Sequence, residues 1–316
     1  MNAITTARTP LVGALAALGI GWGLTQPLAK IAVSGGYQPY GIIFWQSLII
    51  TLILAGATLL RGRSLPLHRS AVLVFCVIAL TGTIIPNTFS YTAAYHLPSG
   101  VMSIAIATVP MFAFPIALML GTDRFSLPRL AGLVLGLCGV AMIVVPQGSL
   151  GSEALSIWVF VALIAPLCYA FEGNYVAKWG TAGLDPVQTL LGASILGLVF
   201  SGLIGWLTGQ FFWPHMPPQP QDTAIFVSSA VHATVYTGYV WLVRRAGSVF
   251  AAQVSYIVTL SGVLWAMLIL GESYSGWVWA AFVAMIAGVG LVQPKARDIP
   301  QPMDTPIGPQ DRSGQT

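Results

Sequence analysis

Glu172 is the one acidic residue of this 316-residue chain that lies well inside an apolar run, in the stretch Ala165–Lys178. A carboxylate in hydrocarbon costs a few kcal/mol at least, so it normally faces a bundle interior or a water-filled cavity. Three chemistries are open to it: pairing with a cation such as Lys30 or His232, binding the ammonium group of a substrate, or taking up and releasing a proton. The bland alternative is that it points into water near Lys178. Other apolar runs carry polar and aromatic residues at intervals of three or four, which places them on one helix face. They are Trp22, Gln26 and Lys30; Thr83, Asn87, Ser90 and Tyr91; Ser103, Ala107 and Pro110; Tyr169, Glu172 and Tyr175, with Asn174 beside them; His232, Tyr236 and Tyr239; and Gln253 with Tyr256. Polar groups of both signs among aromatic rings suit a small solute with an amino group and an aromatic body. Each has a plainer reading. Ser and Thr bond back to their own helix, a lone His bridges helices, and terminal lysines snorkel to the interface. Trp and Tyr populate interfacial belts, the reading for Tyr37, Tyr40, Trp158, Trp179, Trp213, Trp277 and Trp279.

The elements that must hold these residues are membrane spans. The chain is 56% hydrophobic and only 7% charged, whereas soluble domains carry about 25% charged residues. Ten apolar runs, near 11–33, 40–60, 71–94, 98–120, 127–146, 154–179, 187–208, 222–243, 248–270 and 275–293, approach the roughly 20 residues a span requires. Their length and Leu/Ala/Gly content fit helices and not barrel strands. The first run is too long for a signal peptide's apolar core and reads as a retained span. With the N-terminus cytoplasmic, 12 of the 13 Lys and Arg residues fall on the inside and only Lys30 falls toward the outside. That bias supports the count of ten spans and predicts cytoplasmic termini; the expected location is a bacterial inner (plasma) membrane. The same placement, in short connections, argues that the net charge of +4 is not a nucleic-acid footprint. Cys76, Cys138 and Cys168 lie in apolar runs without metal-ligand spacing, and no cofactor is expected.

The halves echo each other at an offset of about 149 residues. Leu120-Gly121-Thr122-Asp123 corresponds to Leu270-Gly271-Glu272, Gly139-Val140 to Gly288-Val289, and Trp22–Lys30 to Ala170–Lys178, with Gln26 opposite Asn174 and Leu24 opposite Glu172. Five spans per half is odd, so the second copy enters the membrane the opposite way up. Inverted repeats are typical of secondary transporters, with the site at the repeat interface near the midplane. The expected division is a cytoplasmic N-terminus 1–10, a first repeat 11–146, a linker 147–153, a second repeat 154–293 and a disordered cytoplasmic tail 294–316.

Trp22-Gly23, Pro110, Gly121 with Asp123, Gly271-Glu272 and the Gly-Val pairs, in this order and over nearly the whole apolar region, resemble the drug/metabolite transporter superfamily in its EamA-like branch. Thr122 stands where the first acidic residue is expected, with Asp123 one place later, and no proline near Leu260 answers Pro110. The resemblance implies an all-α integral membrane protein in which spans 1–4 and 6–9 enclose a central cavity and spans 5 and 10 are peripheral. It implies transport of small metabolites, amino acids among them, and the branch exporting aromatic amino acids is the most similar. Spans 5 and 10 agree, since they carry small residues suited to close packing: Gly132, Gly136 and Gly139, and Ala280, Ala281, Ala284 and Gly288. The expected site is Trp22, Gln26, Asn87, Tyr91, Tyr169, Glu172, Asn174, His232, Tyr236, Tyr239, Gln253 and Tyr256. The expected partners are a small-molecule substrate, the bilayer and protons as coupling ion; the oligomeric state is left open.

Rival classes fit less well. An enzyme needs a paired nucleophile and base, or metal ligands, and His68, His96, His215 and His232 are scattered. A channel would want rings of repeated polar groups. A drug or nucleotide-sugar exporter of the same fold is the nearest alternative, but a nucleotide sugar calls for cations in the spans beyond Lys30 and Lys178. A membrane scaffold without transport also remains on the sequence alone.

Overall fold

The structure, a computed structural model, describes residues 2–122, 124–144, 153–246 and 254–292. Among the described residues ten helices follow the ten apolar runs closely. They are α1 (Asn2–Ser34), α2 (Pro39–Leu60), α3 (Arg69–His96), α4 (Ser99–Met119), α5 (Leu127–Val144), α6 (Glu153–Trp179), α7 (Pro186–Leu207), α8 (Pro220–Ala246), α9 (Val254–Leu270) and α10 (Gly276–Val292). Six of them, α1–α4, α6 and α7, are each long and apolar enough to cross a membrane; α5, α9 and α10 hold shorter apolar segments. Gln253 and Asp123, most of the linker and the tail beyond residue 293 lie outside the described residues.

Local chemistry sets the ends. α2 and α7 start on Pro39 and Pro186 at the first turn, where a missing N–H costs nothing. Asp185 and Gln188 close a capping box on α7. α4 and α9 end on Gly121 and Gly271, both at positive φ (69° and 66°), where a Cβ would be strained. Two helices are irregular. α3 passes through a π turn at Ala79–Ile84, and α4 is broken at Ala107-Thr108 between Ser99–Ile106 and Val109–Met119.

Eight helices close a ring. α1 packs on α8, α8 on α2, α2 on α7, α7 on α3, α3 on α6, α6 on α4, α4 on α9, and α9 on α1. Neighbours come alternately from the first and second half of the chain. Exchanging each helix for its repeat equivalent (α1 with α6, α2 with α7, and so on) returns the same ring read in the opposite sense. A twofold axis along the membrane normal would preserve that sense; an axis in the membrane plane reverses it, so the repeats are inverted. α5 and α10 form a separate, closely packed pair outside the ring. A Cβ at Gly288 would lie 2.6 Å from the Gly132 carbonyl oxygen and 2.8 Å from the Gly136 nitrogen, and one at Gly139 would lie 3.0 Å from the Ala281 oxygen. The small-residue faces read from the sequence are what let these backbones touch.

One departure from twofold symmetry matters. α1 also packs across the ring on α3 and on the first segment of α4. Among the described residues α6 has no comparable contact with α8 or α9. The ring is therefore drawn together at the end where α1 and α3 finish and α4 begins.

Candidate functional site

The Trp-Gly pair in α1 divides its labour. Gly23 faces α9, where an added Cβ would lie 2.7 Å from the Gly262 nitrogen, and nearby Ser261 donates to the Gly19 carbonyl at 3.0 Å. This close crossing fixes α1, and Trp22 turns toward α8. Its indole meets His232 edge-on at 5.9 Å and Tyr239 at 5.8 Å, and His232 lies over Tyr236 at 6.3 Å. Four of the expected residues thus form one aromatic group between α1 and α8, all half-buried.

The second group lies between α3 and α6, the repeat equivalents of α8 and α1 and hence on the opposite side of the ring. Glu172 is half-buried, and its carboxylate rests on the backbone of Gly82 in the π turn of α3. Tyr169 lies three residues before Glu172 in α6, and so on the same helix face. Among the described residues no ion pair or hydrogen bond reaches the Glu172 carboxylate, so pairing with Lys30 or His232 is not what the structure holds.

The lysines are used at helix ends. Lys30 Nζ donates to the carbonyls of Ala94 (2.7 Å) and Tyr95 (3.2 Å) at the end of α3, and Lys178 Nζ to Leu120 (2.8 Å) at the end of α4. A cation on the last carbonyls of a helix satisfies orphan acceptors and complements the dipole. Lys178 Nζ also lies over the Trp179 ring, 5.1 Å from its centre.

Other expected residues are placed differently. Tyr91 is buried and donates to Gln46 Oε1 of α2 at 3.0 Å, while Asn87 Nδ2 approaches the same oxygen at 3.4 Å. Asn174 is buried and gives its amide hydrogens to the carbonyls of Ala113 (3.1 Å) and Ala170 (2.9 Å), tying α6 to α4. Tyr256 packs toward α10, its hydroxyl near Gly290, and is not brought to the Trp22 group. Gln26 is half-buried one turn beyond Trp22. Ser103 bonds back to Ser99 and packs on Gly262. Two further residues were not anticipated. Gln46 is an amide inside an apolar run, so the signal that singled out Glu172 could have found it as well. Gly82 carries no such signal.

The Leu-Gly-acid turn also acquires a role. Glu272 accepts from the Ser99 (2.8 Å) and Gly100 (3.1 Å) amides, and Tyr274 joins both Gly100 and Glu272. An acid of the second half thus caps the first turn of α4 in the first half, at the drawn-together end of the ring. Tyr37, expected in an interfacial belt, is instead buried there. It stacks on Phe212 at 3.6 Å and hydrogen-bonds His215 and Asp222.

The model of the EamA-like transporter family matches twice, over residues 10–145 and 156–293. The uncharacterized inner membrane transporter YedA of Escherichia coli (strain K12) is 26% identical over 289 residues, covering 90% of each chain. The thiamine-repressible mitochondrial transport protein THI74 of Saccharomyces cerevisiae is 30% identical over 150 residues, 45% of this chain and 36% of that one. A solved crystal structure superposes with a TM-score of 0.63 at 18% identity, over 88% of this chain and 94% of the other, a likeness of fold.

Proposed function

This chain belongs to the EamA-like transporter family, and from that premise we propose that it is a secondary exporter of amino acids or closely similar metabolites, aromatic ones among them, working by alternating access. The observation that carries this reading is the pair of facing groups inside the ring. Trp22, His232, Tyr236 and Tyr239 offer ring faces and edges, and Glu172 offers a carboxylate from the other side. An aromatic side chain gains both buried area and ring–ring geometry there. The lysines' engagement with helix ends favours an amino-acid-like solute over a phosphorylated one.

Direction follows from charge. The Lys and Arg distribution supports cytoplasmic termini, and the inner-membrane location of YedA supports the same membrane. On that orientation the drawn-together end of the ring faces outward, so this conformation would admit solute from the cytoplasm. Rocking of one repeat against the other would then open the outer side, with the prolines inside helices, Pro27, Pro115 and Pro166, as the points at which they would bend. Proton exchange at Glu172 would couple the cycle to the pH gradient.

The test is uptake of a labelled amino-acid panel into inverted vesicles, with and without a pH gradient. Saturable flux competed by Trp, Phe and Tyr, and reduced in Trp22→Ala, Glu172→Gln and Tyr91→Ala, is the expected result. Indifference to every amino acid ends the substrate assignment, and flux unaltered in all three variants ends the site assignment.

A further inference from the structure

We propose that Glu172, seated on Gly82 in the π turn of α3, is a built site for an ammonium group, and that the transported molecule presents a positively charged nitrogen to this carboxylate. The inference rests on the transport reading above and names the chemical group that its site selects.

Three observations meet at this point. The first is the fit between Glu172 and Gly82. A Cβ at Gly82 would overlap Glu172 Oε2, and would lie 2.9 Å from Cδ and 3.2 Å from Oε1. Only a glycine lets the carboxylate lie against α3. The second is the backbone there. Ala79–Ile84 is a π turn, with the Ile85 amide bonded back to the Leu80 carbonyl; such turns recur at functional sites because they re-aim a helix face. The third is the missing counterpart. Among the described residues no donor or cation reaches either carboxylate oxygen, and both lysines of the spans are engaged at helix ends. A carboxylate held inside a helix bundle without a partner is costly. A partner that arrives with the solute removes that cost only while solute is bound, which makes the carboxylate a selector of charge.

The surroundings favour an organic ammonium over a metal ion. No group of three His, Cys, Asp or Glu side chains that could hold a metal occurs among the described residues. The groups around it are instead aromatic: Tyr169 on the same face of its own helix, and Tyr236, His232 and Trp22 on the opposite side of the ring. Ring faces attract an alkylammonium and shelter the carbon attached to it. Gly82 is in this scheme a positioning residue, acting through Glu172.

The test uses the full chain in lipid nanodiscs and two probes, phenethylamine and its uncharged N-acetyl derivative, with affinities from isothermal titration calorimetry. Phenethylamine should bind saturably and about tenfold or more tighter than the N-acetyl derivative, the range expected for one charge-assisted contact. Glu172→Gln should erase that preference. Gly82→Ala should weaken phenethylamine about tenfold while leaving the N-acetyl derivative unchanged, which separates displacement of the carboxylate from misfolding. Adding Glu172→Asp to Gly82→Ala should restore most of the affinity, because the shorter side chain clears the new methyl group. Equal binding of the two probes by the wild type, no saturable phenethylamine binding, an unaltered Glu172→Gln protein, or no effect of Gly82→Ala overturns the proposal. Phenylalanine flux, measured in parallel, reads the other hypothesis. Charge-selective binding without flux removes the amino-acid assignment alone, and flux with charge-blind binding removes the ammonium site alone.

Discussion

Trp22 and Gln46 show how differently two residues of the same interior act. Trp22 offers a ring to whatever enters, and its neighbours His232 and Tyr239 hold it edge-on. Trp22→Ala should raise KM about tenfold, since aromatic pairing contributes roughly 0.5–1.5 kcal/mol beyond area, whereas Trp22→Phe should lose only part of this; concentration-dependent vesicle flux reads both. Gln46 is buried and its carbonyl oxygen receives Tyr91 and, at longer range, Asn87. Gln46→Leu strands both donors, and an unsatisfied buried donor costs about 1–3 kcal/mol. The expected result is a lower thermal midpoint together with reduced transport, and an unchanged midpoint would show that Tyr91 finds another partner.

Helix ends carry the asymmetry of the ring. Glu272 and Tyr274 cap α4, and Lys30 closes the end of α3. Together they hold the end of the ring at which α1 crosses to α3 and α4. A carboxylate on the first amides of a helix is stabilising through both its hydrogen bonds and the dipole, by about 0.5–2 kcal/mol. Glu272→Gln should therefore loosen this end, and a single cysteine placed at Gln26 should react faster with a water-soluble maleimide added on that side. The far pair, α5 and α10, rests on backbone contact. Gly288→Leu should force the two helices apart and lower the thermal midpoint, because no side chain exists there that can move aside.

Across the whole molecule each half straps the other. The connection after α7 lies over the turn between α1 and α2 through Tyr37, Gln210 and Phe212. The connection after α2 meets the start of α7 through Arg63 with Asp185 and Ser64 with Gln188. Burial tends to push the Asp185 carboxyl up, but the Gln188 and Val187 amides and the Arg63 guanidinium outweigh it and hold it below the ordinary carboxylate range. A depressed carboxylate contributes stability that is present above its unfolded value, near 4, and is lost as pH falls through its folded value. Asp185→Ala should then lower the thermal midpoint at pH 7 more than at pH 3. The orientation reading makes its own prediction. In a cysteine-free background Met216→Cys, exposed after α7, should react with an impermeant reagent on intact cells. Leu67→Cys, exposed after α2, should react only once the membrane is opened, and the reverse pattern inverts the direction of transport.

Span number, helix type, the repeat and the charge bias are properties of short windows, so they were legible along the chain. A run of apolar residues must satisfy its own backbone wherever it lies in a bilayer. The polar stripe on each helix was legible for the same reason, since it depends on the 3.6-residue period alone. Which stripes meet was not. Tyr256 shares a face with the expected site residues by spacing, yet it packs toward α10, because helix rotation is settled by neighbours far away in sequence. Lys30 reads as an interfacial cation and turns out to close α3, 64 residues away. Glu172 was conspicuous by itself, being a charge in hydrocarbon. That its carboxylate rests on Gly82 of the neighbouring α3 was not, since a glycine has no side chain to announce a contact. Its role appears only when the eight helices close and leave room there for nothing larger than hydrogen.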